Sequence, residues 1–136
     1  MLRFTIATVT YNAGTTIART LHSVAAQSYD AIEHLIVDGC STDSTMAEIH
    51  RYVEQNTDQE RPHAITLVRE PDQGLYDAMN KAIQQAKGDY IIFLNAGDCF
   101  HDDEVLAKVA AQVEARYNPN RRPAVLYGET DLVDDA

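Results

Sequence analysis

The chain has 136 residues, 45% hydrophobic and 24% charged, with a formal net charge of −10. That is the size and composition of one soluble globular domain with a real core, and the acidic balance disfavours a nucleic-acid backbone as partner. Apolar runs reach only about five residues, far short of a bilayer span, and the first five residues form no signal-peptide core. The chain therefore reads as cytoplasmic, with peripheral membrane association left open. Its two cysteines, Cys40 and Cys99, lie in no CxxC or CxxH arrangement, so they suit a reducing compartment and indicate no zinc site. An acidic protein can still bind an anion, through a divalent cation or through backbone N–H groups at a helix start.

In chain order, Phe4–Thr10 is β-branched and apolar and predicts a buried strand. Tyr11-Asn12-Ala13-Gly14 breaks it, and from Thr15 or Thr16 to Ala26 the spacing of Ile17, Leu21, Val24 and Ala25 predicts a helix. Glu33–Asp38 is a second strand ending in an acid. Residues 39–43 are turn chemistry, with Asp43 the natural cap and Thr45–Glu48 fitting a capping box. The following helix carries Met46, Ile49 and Val53.

Residues 56–62 form a polar loop, 65–68 a third strand and 71–74 a turn. Leu75–Lys87 is a helix closed by Gly88, and its Tyr76, Met79, Ala82, Ile83 and Ala86 face is expected to pack in the core. Tyr90–Leu94 is a fourth strand. Asp102 and Asp103 open a helix to about Arg116, where acids suit the dipole, and 124–127 is a last strand. Alternating strands and helices imply an α/β fold, a mostly parallel sheet with helices on both faces. In such sheets ligands bind beyond the carboxyl ends of the strands. Thr10-Tyr11-Asn12, Asp38-Gly39 and Asn95–Asp98 fall there.

Each of these residues has a bland and a functional reading. Asp38 either accepts hydrogen bonds from a nucleotide or caps a turn. Asp98, after Gly97, either gives one oxygen ligand to Mg²⁺ or Mn²⁺ or bonds its own loop. Tyr11 either stacks on a base, at about 1–3 kcal/mol, or half-buries in the core. Arg69 and Lys81 either face phosphates or are surface charges. None of the five histidines is assigned a role. There is no GxxxxGK[ST], no GxGxxG after the first strand and no GxSxG. "TYN" stands where a receiver domain would carry an acidic cluster.

Taken together, "TVTYNAGTTIARTLHSVAAQSY", "HLIVDGCSTDST" and "EPDQGLYDAMNKAIQQAKGDYIIFLNAGDCF" resemble the family 2 glycosyltransferases, inverting enzymes of GT-A (Rossmann-like) fold. The resemblance spans about residues 4–130 and is nearest to the branch in bacterial capsule and exopolysaccharide clusters. It implies transfer from a nucleoside-diphosphate sugar to a saccharide or lipid-linked acceptor in cell-surface polysaccharide assembly, at the inner face of the membrane. Thr10, Tyr11, Asn12, Asp38 and Asn95 would bind the nucleotide. Asp98 would hold Mg²⁺ or Mn²⁺, as the one carboxylate left where the family carries a DXD-type motif, with Asn95 and Gly97 departing from it. The family's catalytic base comes after the fifth strand, so it is expected beyond residue 136, and Asp131, Asp134 and Asp135 lie too early to match. By the same resemblance, 1–136 is a single, shortened nucleotide-sugar-binding domain without the acceptor-binding part. A non-catalytic nucleotide-sugar-binding or assembly module is the rival reading, and self-association through a bare edge is left open.

Overall fold

Strand β1 (Phe4–Thr10) is the axis on which everything else is placed. The computed structural model describes residues 2–60, 62–116 and 125–126. The order is β1, α1 (Ile17–Ala25), β2 (Ile32–Asp38), α2 (Thr45–Thr57), β3 (Ala64–Arg69), α3 (Leu75–Gln85), β4 (Tyr90–Phe93), α4 (Val105–Arg116) and β5 (Val125–Leu126). These strands make one parallel sheet in the order β3-β2-β1-β4-β5. The expected α/β architecture is the one observed. The chain builds outward from β1 to β3, then crosses back to β4 on the other side of β1. That reversal opens a crevice at the carboxyl ends of β1 and β4, where open α/β sheets bind ligands.

Strand period explains the two faces. Phe4, Ile6, Ile32, Ile92 and Leu94 pack with α1 and α4 residues such as Val24 and Leu106. Ile36 packs with Ile17, Leu21, Ile49 and Tyr52, between α1 and α2. The alternate residues Ala7, Leu35, Val37, Ile91 and Phe93 meet Ala78 and Ala82 of α3. So α1, α2 and α4 cover one face and α3 the other. Each fully buried large side chain contributes about 1.5–3 kcal/mol. His34 lies in this core, its Nε2 2.8 Å from Thr8 Oγ1 and its Nδ1 2.8 Å from Tyr52 Oη. Burial, with the nearby His63, pushes its pKa down to about 3, so the ring is neutral and joins two hydroxyls.

Several local expectations change. The expected core face of α3 holds in part: Ala82 is buried with Ala78, and Met79 and Ala86 pack against the same cluster, but Tyr76 is 81% and Ile83 45% exposed. Small residues let α3 lie close on the sheet, while Tyr76 and Ile83 point away. The Thr45–Glu48 box does not form. The Thr45 hydroxyl accepts from Ala13 N and donates to Asp43, while Glu48 pairs with Arg51. The N-cap is Ser44 rather than the expected Asp43, and Asp43, one residue before it, accepts from Thr45 N at 2.9 Å. Helix α3 ends at Gln85, before Gly88, whose N–H instead bonds Thr5 Oγ1. Helix α4 starts at Val105, and Asp102 caps the turn before it by accepting from Glu104 N at 2.8 Å.

Candidate nucleotide and metal site

The ends of β1 and β2 are flush, Thr10 pairing with Asp38 in register. Their outgoing loops are then stitched to each other. Asn12 N donates to Ser41 Oγ at 2.8 Å, and Thr42 N donates to Asn12 Oδ1 at 2.8 Å. Gly14 N donates to Asp43 Oδ2 at 3.0 Å. These bonds, with those from Thr45, hold the Asp43 carboxyl below its ordinary range, the Thr45 hydroxyl acting most strongly. Asn12 and Cys40 take positive φ, 48° and 68°. For Asn12 the reciprocal bonds to the second loop offset the cost of that conformation.

Asp38 is fully buried. Its Oδ1 accepts from Ser41 Oγ at 2.5 Å, and its Oδ2 accepts from Ser41 N at 3.0 Å. Arg69 Nε lies 3.5 Å from Oδ2, and an Arg69 Nη donates to Ser41 O at 3.3 Å. Asp38 is therefore the clasp of the β2 loop and the anchor of Arg69. Asp72 lies over this loop: a Cβ on Gly39 would stand 2.6 Å from Asp72 Oδ2 and 3.4 Å from Tyr11 Cδ1. Tyr11 itself is 61% exposed, with its ring at the rim. Lys81 is spent locally, on Glu70, Asp77 and the carbonyl of Pro71.

Beyond β4 the backbone runs along β1 a little further, Leu94 N bonding Ala7 O and Ala96 N bonding Val9 O. It then turns sharply, Asp98 N donating to Asn95 O at 2.9 Å. Gly97 is the third residue of this turn with φ 100°, the sign a type II turn requires there and a glycine supplies without strain. The turn leaves Asp98 exposed. Among the described residues, Asn95 Oδ1 and Thr10 Oγ1 are buried with no hydrogen-bond partner. A buried polar atom left without a partner is costly.

The structure thus brings Tyr11, Asn12 and Asp38 into one bonded loop pair, and sets Asn95 and Asp98 beyond the neighbouring strand β4. Among the described residues no three His, Cys, Asp or Glu side chains gather as a metal cage, and no helix is long and apolar enough to cross a membrane. Sequence reasoning missed Ser41 and Asp72, whose partners are set by loop geometry. It also missed Thr20 on α1, which accepts from Gly97 N at 2.8 Å. A hydroxyl in an otherwise helical apolar pattern was the only signal.

The chain is similar to known proteins over most of its length. It is 36% identical over 109 residues to TuaG of Bacillus subtilis (strain 168), a glycosyltransferase whose name places it provisionally in teichuronic acid biosynthesis; the match covers 80% of this chain and 41% of TuaG. Among solved structures, the mannosyltransferase PcManGT from Pyrobaculum calidifontis in complex with GDP-Man and Mn²⁺ superposes with TM-score 0.75 and 29% identity, over 87% of this chain and 33% of that one. Residues 1–349 of S. aureus TarS in complex with UDP-GlcNAc give TM-score 0.72 and 25% identity, over 84% and 32%. The chain spans 40% and 41% of the length of the curated relatives it matches. The model of the family "Glycosyl transferase family 2" matches residues 5–119: the chain belongs to that family.

Proposed function

We propose that this chain is the donor-binding part of a glycosyltransferase that transfers a sugar, with inversion, from a nucleoside diphosphate to a saccharide or lipid-linked acceptor of the cell surface. The observation that carries the reading is the pair of acceptor atoms, Thr10 Oγ1 and Asn95 Oδ1, buried without partners among the described residues at the carboxyl ends of β1 and β4. They lie at the switch point of a fold that PcManGT and TarS share, and those two structures hold GDP-Man and UDP-GlcNAc. The link to surface polymers rests on similarity to TuaG.

Each residue then has a physical task. Tyr11 offers its exposed ring to the base, and Asn12 keeps that ring at the rim through its bonds to Ser41 and Thr42. Asp38 acts on the base or ribose from beneath, through whatever acceptor capacity Ser41 and Arg69 leave it. Asn95 accepts from a hydroxyl or N–H of the donor.

The residues present fit an open Mg²⁺ or Mn²⁺ site, with Asp98 as its protein ligand. One exposed carboxylate is what such a cation takes when phosphates and water fill its other positions, and PcManGT holds Mn²⁺. A cation there would offset negative charge on the departing diphosphate. Asp98 supplies an oxygen on a tight turn, and Gly97 lets that turn form.

The test is calorimetry of UDP, GDP and dTDP, each with and without Mn²⁺. Binding of at least one is expected, strengthened by Mn²⁺ in the wild type and not in Asp98→Ala. If no nucleotide binds, the donor-site reading fails.

A further inference from the structure

Helix α1 carries two stripes. Ile17, Leu21 and Val24 are buried against the core. One residue back in phase lie Thr16, Thr20, Ser23 and Gln27, at steps of four, three and four, the spacing of one helix face. Thr20, Ser23 and Gln27 bond the segment just after β4, and Thr16 lies beside it. Thr16 Oγ1 is the nearest atom to the Cβ position of Gly97, at 3.7 Å. The Thr20 hydroxyl accepts from Gly97 N at 2.8 Å and donates to Asn95 O at 3.5 Å. Ser23 Oγ accepts from Phe100 N at 3.3 Å. Gln27 donates to Asp102 O at 2.7 Å and accepts from Leu106 N at 3.1 Å. A fully buried threonine thus grips both ends of the turn that presents Asp98, and its neighbours along the stripe grip the rest of the loop.

We propose that this polar stripe is a rail that sets the position of Asp98, with Thr20 as the positioning residue for the divalent cation. The inference rests on the donor-site reading above, in which Asp98 is the cation's protein ligand. Thr20 touches neither cation nor donor. It acts through the backbone: its hydroxyl meets the N–H of Gly97, adjacent to Asp98, and the carbonyl of Asn95 that closes the turn on Asp98 N. A turn of two central residues has little other support. On its far side it is tied to β1 through Ala96 N and Val9 O, and just past it Arg19 Nε donates to Cys99 Sγ at 3.1 Å. Groups that orient a ligand are worth about 10–100-fold in metal affinity in known sites.

The experiment compares Thr20→Val, which keeps the shape and loses the hydroxyl, with Thr20→Ser, which keeps the hydroxyl, in the full 136-residue chain. Free Mn²⁺ is titrated by electron paramagnetic resonance in the presence of saturating GDP or UDP, and nucleotide affinity is measured separately without metal. Thr20→Val is expected to weaken Mn²⁺ about tenfold or more and to leave metal-free nucleotide affinity unchanged. Thr20→Ser is expected to restore Mn²⁺ affinity to within about threefold of wild type. Ser23→Ala, one step further along the rail, gives a smaller loss and serves if Thr20→Val does not fold. Wild-type Mn²⁺ affinity in Thr20→Val overturns the proposal. So does an equal loss of metal-free nucleotide binding, which marks a merely structural role, or a failure of Thr20→Ser to restore Mn²⁺. Asp98→Ala separates the two levels: if it loses Mn²⁺ while Thr20→Val does not, only the rail is wrong. If Asp98→Ala also keeps Mn²⁺, the metal reading beneath it is wrong as well.

Discussion

Asp38 and Asp98 occupy matching places in the chain, each a carboxylate near a strand's end with a glycine beside it, yet the fold treats them in opposite ways. Asp38 is sealed, its oxygens held by Ser41 and Arg69. Asp98 is exposed, and its carboxylate accepts no hydrogen bond among the described residues. The neighbours of each acid make the difference. Three residues beyond Asp38 a serine folds back to bond it, and the adjoining edge strand brings up an arginine. Before Asp98 comes a turn whose own backbone bonds are already complete. The first acid builds the wall of its loop pair, and the second is left exposed to solvent.

The contrast breaks most visibly at Asp38. Asp38→Ala removes the acceptor for Ser41 N and Oγ and leaves those buried groups unmet, a cost of about 2–4 kcal/mol. The Arg69 pair adds little to this, since that side chain is 49% exposed and its charge stays solvated. Urea unfolding monitored by circular dichroism reads the loss directly. A change under about 1 kcal/mol would mean that Asp38 is not the clasp described.

A second measure of the wall is pH. His34 lies beneath it, neutral, with a pKa pushed from 6.5 down to about 3 by burial and by His63. His63 is itself lowered, mainly by burial. Protons therefore bind the unfolded chain first, and stability present above pH 6.5 is lost as pH falls toward 3. For His34 the slope is roughly 1.4 kcal/mol per pH unit, and His63 acts in the same direction. The lowered carboxyls of Asp43, Asp77 and Asp102 start from 3.8 and contribute only further down. Melting temperature should thus fall between pH 6.5 and about 5, and His34→Gln should flatten that fall.

Gly97 tests the other side of the comparison. Its φ of 100° admits alanine only with strain, while the nearest atom to a new Cβ stands at an uncrowded 3.7 Å. Gly97→Ala should cost about 1 kcal/mol of stability and weaken Mn²⁺-dependent nucleotide binding. A variant with full stability would show that the turn is not held in this conformation.

The fold was legible in the sequence because its signals are local. Period-2 and helical spacing placed β1, α1, β2 and the rest within a few residues, and alternation gave the parallel sheet. The α3 face held for Met79, Ala82 and Ala86 and failed for Tyr76 and Ile83, because spacing shows that residues share a side, not what lies over it. Tyr76 and Ile83 share a side with nothing described upon it. The candidate residues were legible as chemistry but not as roles. The bonds that Ser41 and Arg69 make to Asp38 are not visible in the spacing, and the Thr20–Gly97 bond joins residues 77 apart. Long-range partners carry no spacing to read.

The smallest expected change in stability is the most telling. Asp98→Ala removes an exposed carboxylate with no hydrogen bond to lose, so unfolding should shift by no more than about 0.5 kcal/mol. Metal-free nucleotide affinity should hold, because Tyr11, Asn12, Asp38 and Asn95 are untouched. What should vanish is the gain in GDP or UDP affinity on adding Mn²⁺, read by calorimetry at matched ionic strength. Asp102→Ala is the control of equal charge on the same loop. It removes the bond to Glu104 N that starts α4, so it should lower stability by about 1 kcal/mol and leave the Mn²⁺ response intact. The two acids of one loop would then separate as Asp38 and Asp98 do, one holding the fold and one facing the ligand. An Asp98→Ala variant that is unstable, or that still responds to Mn²⁺, would erase that separation.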